Sequence, residues 1–270
     1  MSALPHADPG RGVFETMLVI AGRAVELDAH IGRLSASVEA LYGLALPAQV
    51  RSRLLDRAGA MEHGKLRLTV VPEPGTLGAA ATGNLRFQVD AEEINPSVVF
   101  PGPERAASLR SHVVAGGLGE HKWADRDLLD RIAVASPGEL PLLLDSDGAV
   151  LEASRASVFA VRGGRLATPP TDGRILPSIA RQQAIEVAAR EGIEIAEERL
   201  RVDDLRLAEV FLTGSVRGIE PVRRLDDAEL APPGEISERL AAGLRCRWRV
   251  PAGEPAAAVA AGQPGGRPGR

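Results

Sequence analysis

Residues 150–181 read VLEASRASVFAVRGGRLATPPTDGRILPSIAR. The stretch opens on a short apolar run tipped by Glu152, and residues 158–161 continue as an apolar, β-branched strand. Gly163 and Gly164 turn the chain, Thr168-Pro169-Pro170 makes a loop, and Leu176-Pro177-Ser178-Ile179-Ala180-Arg181 enters a helix. A helix start leaves N–H groups unpaired and carries the positive end of the helix dipole, so an anion is stabilised there. A strand-borne carboxylate followed by such a helix start is a frame for a phosphorylated cofactor.

Composition narrows what surrounds that frame. The 270 residues, 44% apolar and 25% charged, are those of a soluble globular enzyme or binding protein. A net charge of −4, with Arg balanced by Asp and Glu along the chain, argues against a nucleic-acid partner. The lone Cys246 excludes an internal disulfide framework and fits a reducing cytoplasm. No signal-peptide pattern opens the sequence, and no apolar run approaches the roughly 20 residues of a membrane span. Of the 32 basic residues only Lys65 and Lys122 are lysines. Arginine cannot be deprotonated in a protein and forms no imine, whereas a desolvated lysine does both. A lysine retained in so arginine-biased a chain is therefore a candidate for chemistry.

Working outward, residues 12–20 read as a strand turning through 22–27 into a second, with Asp28 as N-cap of a helix over 29–41. A helix over 49–60 and strands over 65–71 and 84–89 complete a small α+β domain, residues 1–108. Residues 109–250 form the second unit. It has strands at 109–114, 140–144, 158–161 and 210–213, the 140–144 and 158–161 strands being read as neighbours. Its helices are read at 123–135, beginning beside Lys122, and at 179–191 and 236–244. Residues 251–270, rich in Pro, Gly and Ala, read as a disordered tail.

Several motifs fail on their context. Gly59-Ala-Met-Glu-His-Gly-Lys65 spells part of a phosphate loop, but it lacks the magnesium hydroxyl and precedes a strand. Gly116-Gly-Leu-Gly119 is not a dinucleotide fingerprint. The five histidines have no metal spacing, and no G-x-S-x-G elbow is present. What remains is Lys122 after a glycine turn, Glu152 on a strand, and a helix start. A cofactor aldehyde held as a Schiff base needs this set: a lysine for the imine, a carboxylate for a pyridine nitrogen, and an anion site for a phosphate.

In this order the motifs resemble the class IV pyridoxal-phosphate-dependent aminotransferases and lyases, over residues 10 to about 225. Gly12-Val-Phe-Glu-Thr16 is similar to the family's G-x-F-E-T, and His30-Ile-Gly-Arg33-Leu34 with Ser37 to H-x-x-R-L-x-x-S. His121-Lys122-Trp-Ala-Asp-Arg126 falls where the family's lysine lies. Glu152-Ala-Ser-Arg-Ala-Ser157-Val-Phe159 resembles E-x-x-x-x-N-x-F, and Leu176 to Arg181 resembles L-P-G-I-T-R. Phe211-Leu-Thr-Gly214-Ser215 with Pro221-Val222 resembles the later phosphate segment. The resemblance implies pyridoxal 5'-phosphate as cofactor, with Lys122 as Schiff-base lysine and Arg33, Ile179, Ala180 and Ser215 at the phosphate. It likewise places Leu176 against the ring and Glu152 at the pyridine nitrogen.

It also implies fold type IV, D-amino-acid aminotransferase-like: a two-domain α+β and α/β chain whose larger C-terminal domain has a barrel-like sheet. Further implications are a homodimer and a small-molecule substrate, with no metal. Ser157, Ser178 and Ala180 depart from the pattern, and Ser178 is strained if the family's glycine needs a left-handed backbone. Only 11 residues precede Gly12, so the first hairpin reads as shortened. That start, and the HKWADR segment, resemble 4-amino-4-deoxychorismate lyase, which releases 4-aminobenzoate and pyruvate. An aminotransferase for branched-chain or D-amino acids is the alternative, although Tyr42 is the only tyrosine available for a tyrosine-lined carboxylate site. A family-fold protein without catalysis is the third reading.

Overall fold

The structure, a computed structural model, describes residues 6–74 and 83–251. The proposed tail beyond Pro251 lies outside them. β1 (Val13–Ile20), β2 (Arg23–Ala24), β3 (His63–Pro72) and β4 (Leu85–Glu93) form an antiparallel sheet in the order β2-β1-β3-β4. Burial along β3 alternates residue by residue, as side chains on a pleated strand must when its faces differ. Leu66, Leu68 and Val70 turn to α1 (Leu27–Tyr42) and α2 (Val50–Gly59), packing with Met17, Val19, Leu34, Val38 and Leu54. Lys65 and Arg67 turn to the opposite face. Register pairs Thr16 with Arg67 and Leu18 with Lys65, so Phe14, Thr16 and Leu18 share that second face.

The second sheet contains β5 (Ala107–Val113), β6 (Leu140–Leu144), β7 (Val150–Ala153), β8 (Ser157–Arg162), β9 (Arg165–Thr168) and β10 (Ile195–Glu197). It is completed by β11 (Glu209–Gly214), β12 (Gly218–Leu225) and β13 (Ala228–Glu229). Its order is β10-β9-β8-β11-β12-β5-β6-β7, with β13 paired to β12. A bridge between Ala153 and Ala156 draws β7 back against β8, so the sheet curls on itself like a barrel. Leu109, Leu142, Val150, Val158, Val210, Leu212 and Val222 fill its inside. The helices of this part are α3 (Asp127–Ala135), α4 (Ile179–Arg190), α5 (Val202–Arg206) and α6 (Glu235–Trp248). Phe159 and Phe211, register partners with rings stacked at 5.2 Å, face α4 and α6 from the other side of the sheet. The fold is the mixed α/β architecture with a barrel-like sheet read from the sequence.

Three local readings are corrected. Asp28 lies inside the first turn of α1 and pairs with Arg51, while Glu26, in the left-handed region at φ 54°, takes the cap position. The helix expected from residue 123 starts at Asp127, because residues 122–124 run extended beside β1. β6 and β8 are not partners; β6 lies between β5 and β7. After β11, residues 215–217 make a tight turn returning into β12, with Gly214 opposite Gly218. Among the described residues, a single 3-10 turn (Pro9–Arg11) precedes β1.

Gly218 has φ +64°, and a Cβ there would meet the Phe100 ring at 2.4 Å. Gly218→Ala is therefore expected to lose about 2 kcal/mol of stability through backbone strain and overpacking. A wild-type urea midpoint for this variant would show that the turn and ring move aside without cost.

Candidate active site

Between the two sheets lies a cavity of about 340 Å³, lined by Phe14, Thr16 and Arg67 on one side and Glu152, Ser157 and Gly214 on the other. Lys122 enters it from an extended segment that backbone bonds hold on β1. The Phe14 N–H donates to the Lys122 carbonyl at 2.9 Å, and the Ala124 N–H donates to Gly12 at 3.0 Å. The preceding glycine turn is needed for close approach: Gly117 has φ +68°, and a Cβ would sit 2.1 Å from the Arg174 carbonyl oxygen. The Lys122 amine lies 5.0 Å from the Phe14 ring centroid, with no carboxylate in ion-pair distance among the described residues. Desolvation pulls its pKa down to about 8, with Arg33 and Arg126 adding to the fall and Glu15 and Glu152 opposing it.

Glu152 stands on β7 and is 7% exposed. Burial pushes its pKa up to about 7, against the pull of Lys122 and a hydrogen bond from the Leu176 N–H. No cation within ion-pair distance neutralises it among the described residues. A buried carboxylate so placed is short of a cationic partner.

Arg33, on α1, is fixed from behind. Its Nε and Nη2 each donate to Glu15 at 2.7 Å, its Nη1 donates to the Pro177 carbonyl at 2.9 Å, and His30 Nδ1 lies 2.7 Å from the same Glu15. Glu15 is buried; desolvation opposes its charge, but the bonds to His30 and Arg33 prevail and hold its pKa at about 2. Three of the five guanidinium N–H groups are thus used, and two stay free beside the loop that starts α4.

At that start Ser178 has φ −75° and ψ 130°, and its hydroxyl accepts from the Arg181 N–H at 3.3 Å. The position needs no left-handed backbone, so the serine caps the helix without strain. Ser178→Ala is expected to cost about 1 kcal/mol of stability, read as a lowered urea midpoint. An unchanged midpoint would remove the cap from the account.

Of the residues singled out by sequence, Arg33, Lys122, Glu152, Leu176 and Ser215 line the cavity. Ile179 and Ala180 do not; they open α4 behind Ser178, where first-turn N–H groups have no partner within the helix. Two hydroxyls nearby, Ser157 Oγ and Thr213 Oγ1, are buried without a hydrogen-bond partner among the described residues.

Sequence reasoning gave no role to the cavity's other arginines. Arg67 lies over the Phe14 ring at 3.8 Å, and Arg126 donates to the Ser154 carbonyl at 2.9 Å. Burial lowers the pKa of both, the Arg67 charge adds to the fall at Arg126, and neither has a carboxylate in ion-pair distance among the described residues. Arg155 and Arg217 line the cavity as well. The alternation of β3 was a usable signal for Arg67, which falls between the inward Leu66 and Leu68. Asp125 also lines the cavity, held by Arg11 at 3.0 Å and by the Asp8 and Asp127 N–H groups.

A provisionally named branched-chain-amino-acid aminotransferase of Methanocaldococcus jannaschii is 38% identical over 114 residues, 40% of each chain. Among solved structures, a 4-amino-4-deoxychorismate lyase from Pseudomonas aeruginosa superposes with a TM-score of 0.73 at 26% identity, covering 88% of this chain and 91% of that one. A hypothetical aminotransferase from Mycobacterium tuberculosis, solved in a PLP-bound form, shares the fold at a TM-score of 0.74 and 23% identity, covering 92% and 95%. Residues 12–225, which carry the four-stranded sheet, the cavity and the strands through β12, match the model of the amino-transferase class IV family, and the chain belongs to that family.

Proposed function

We propose that this chain binds pyridoxal 5'-phosphate and is a lyase that converts 4-amino-4-deoxychorismate to 4-aminobenzoate and pyruvate. The cavity suits the cofactor on its own chemistry. Glu152 is a buried carboxylate short of a cation, which a protonated pyridine nitrogen provides. Arg33 keeps two N–H groups for a phosphate next to the first turn of α4, and the Ser157 and Thr213 hydroxyls are still without partners. When bound, the cofactor supplies an electron-withdrawing ring that stabilises negative charge beside the substrate's amine.

The protein's own residues do the rest. Lys122 would hold the cofactor aldehyde and, once displaced by the substrate amine, act as general base. With a pKa of about 8 its neutral form is accessible near neutral pH. It would take the proton from the ring carbon bearing the amine. The bond from the neighbouring ring carbon to the enolpyruvyl oxygen then breaks with its electrons on oxygen. A proton returned to the enolpyruvyl carbon gives pyruvate, so atoms balance with no second substrate, and formation of an aromatic ring drives the step. Leu176 and Phe14 offer apolar surface to rings, and Ser215 with Ile179 and Ala180 would complete the phosphate site.

The observation that carries the lyase reading is the cationic wall. 4-Amino-4-deoxychorismate has two carboxylates, and the cavity presents Arg67 and Arg126 without carboxylate partners, together with Arg155 and Arg217. A branched-chain amino acid brings one carboxylate and an alkyl group. The aminotransferase reading nevertheless has its own support in the curated relatives, of which the chain spans only part: 40% of the M. jannaschii protein. A homodimer belongs to the reading through the family resemblance. The test is to incubate the cofactor-loaded protein with 4-amino-4-deoxychorismate alone, and separately with amino acid plus keto acid. Release of 4-aminobenzoate and pyruvate in the first supports the lyase; turnover only in the second overturns it.

A further inference from the structure

Two turns meet at one end of the barrel. Register pairs Ser157 at the start of β8 with Thr213 near the end of β11, so the β7–β8 turn lies beside the β11–β12 turn. The first turn carries Arg155 and the second Arg217, and both residues line the cavity. Behind them, on β12, stands Glu220. Its Oε1 accepts from Arg155 Nη2 at 3.0 Å and from Arg217 Nη1 at 3.1 Å, and its Oε2 lies 2.9 Å from Arg155 Nη1. The Arg217 turn is pinned in addition, since its carbonyl accepts from the Phe100 N–H at 2.8 Å.

Exposure gives this group a direction. The Glu220 side chain is 4% exposed, while those of Arg155 and Arg217 are 37% and 33% exposed. The carboxylate is therefore buried behind two more exposed guanidiniums, whose residues line the cavity. One carboxylate offsets one of the two cations, leaving a surplus positive charge aimed at whatever fills the cavity. A staple between two hairpins needs only one arginine on Glu220; the second is surplus to that role. Arg67 and Arg126 come from β3 and from the segment after Lys122, so the cavity holds a second, separately built pair of cations.

We propose that Arg155 and Arg217, held from behind by Glu220, form an anion subsite that takes the second carboxylate of a dicarboxylic amine. The subsite thereby selects such substrates over monocarboxylic amino acids. Arg155 and Arg217 touch the substrate in this account, and Glu220 is a positioning residue. The inference rests on the reading of the cavity as an amine-binding site, and it deepens the lyase reading by assigning the residues that choose a dianion.

The test is calorimetric binding of two aromatic amines to the cofactor-loaded protein. 5-Aminoisophthalate carries two carboxylates, and 3-aminobenzoate lacks one of them. Wild type is expected to bind the dicarboxylate about tenfold more tightly, the scale of one charge-assisted hydrogen-bonded contact. Arg155→Ala and Arg217→Ala are each expected to remove most of that preference while leaving the Kd for 3-aminobenzoate in place. Arg155→Lys should restore part of it, and Glu220→Gln should weaken it by letting both guanidiniums swing away. Equal binding of the two probes by wild type, or variants that weaken both probes alike, would overturn the subsite and leave only a structural staple. The lyase reading is judged separately, by release of 4-aminobenzoate from 4-amino-4-deoxychorismate. A protein that prefers the dicarboxylate but releases no 4-aminobenzoate keeps the subsite and loses the lyase. One that releases 4-aminobenzoate without the preference does the reverse.

Discussion

Lys122→Ala is expected to abolish the visible absorbance that the protein gains on loading with pyridoxal 5'-phosphate, and to lower turnover by roughly 10³-fold or more. The amine sits in the cavity without a carboxylate in ion-pair distance among the described residues, and desolvation holds its pKa near 8. Removing it removes both the group that would hold the aldehyde and the base that would move the substrate proton. Lys122→Arg sharpens the result. Arginine keeps the positive charge and most of the length, but it neither loses its proton nor forms an imine. If the role of Lys122 is a charge in the wall, Arg should rescue; if it is chemistry, Arg should be as inactive as Ala. Cofactor absorbance retained in both variants would return the chain to the reading of a family-fold protein without catalysis.

That contrast is also why Lys122 was legible in the sequence. In a chain that places arginine at nearly every basic position, a lysine is informative, and the glycine turn before it is informative about close approach. Glu152 and the helix start at residue 179 were legible for a similar reason, each standing on an element whose pattern is strong over a short span. The arginines of the cavity wall were not. In an arginine-rich chain Arg155 and Arg217 look like any solvated charge, and only the pairing of β8 with β11 brings their turns together. Glu15 was quoted as part of a motif without a role. Its signal was a lone acid in an apolar strand, on the face that also carries Val13 and Met17 and so meets α1, where His30 and Arg33 stand ready to satisfy it. β12 was missed because Glu220 and Pro221 interrupt its apolar pattern; the glutamate is buried only because two arginines from separate turns converge on it.

Glu152→Gln is expected to reshape the pH dependence of the cofactor-free protein while disabling the loaded one. Burial raises the Glu152 pKa from an ordinary 4.5 to about 7. Below pH 4.5 the carboxyl is protonated whether the chain is folded or not, so its burial carries no charge penalty. Between 4.5 and 7 the unfolded chain gives up that proton while the folded one retains it, so stability falls as pH rises. Above 7 the full penalty applies, on the order of 3 kcal/mol. Lys122 has the opposite slope, but only from about pH 8 to 10.5, where the folded chain holds fewer protons than the unfolded one. His112 and His121, lowered by burial, titrate in wild type and variant alike, so the difference between the two from pH 4.5 to 7.5 isolates the carboxyl. Urea midpoints of cofactor-free wild type should decline over that range relative to those of Glu152→Gln, whose neutral amide has no proton to lose. The same substitution should slow the loaded enzyme about 10²-fold, because an amide cannot hold a proton on the pyridine nitrogen as a carboxylate does. The residue thus destabilises the empty protein at neutral pH and is compensated when a cationic ring nitrogen arrives, so cofactor binding should raise the urea midpoint more in wild type than in Glu152→Gln. A wild-type-to-variant difference that stays flat from pH 4.5 to 7.5 would mean that Glu152 is already ionised in the empty cavity, and the assignment of its role to the missing cation would fall with it.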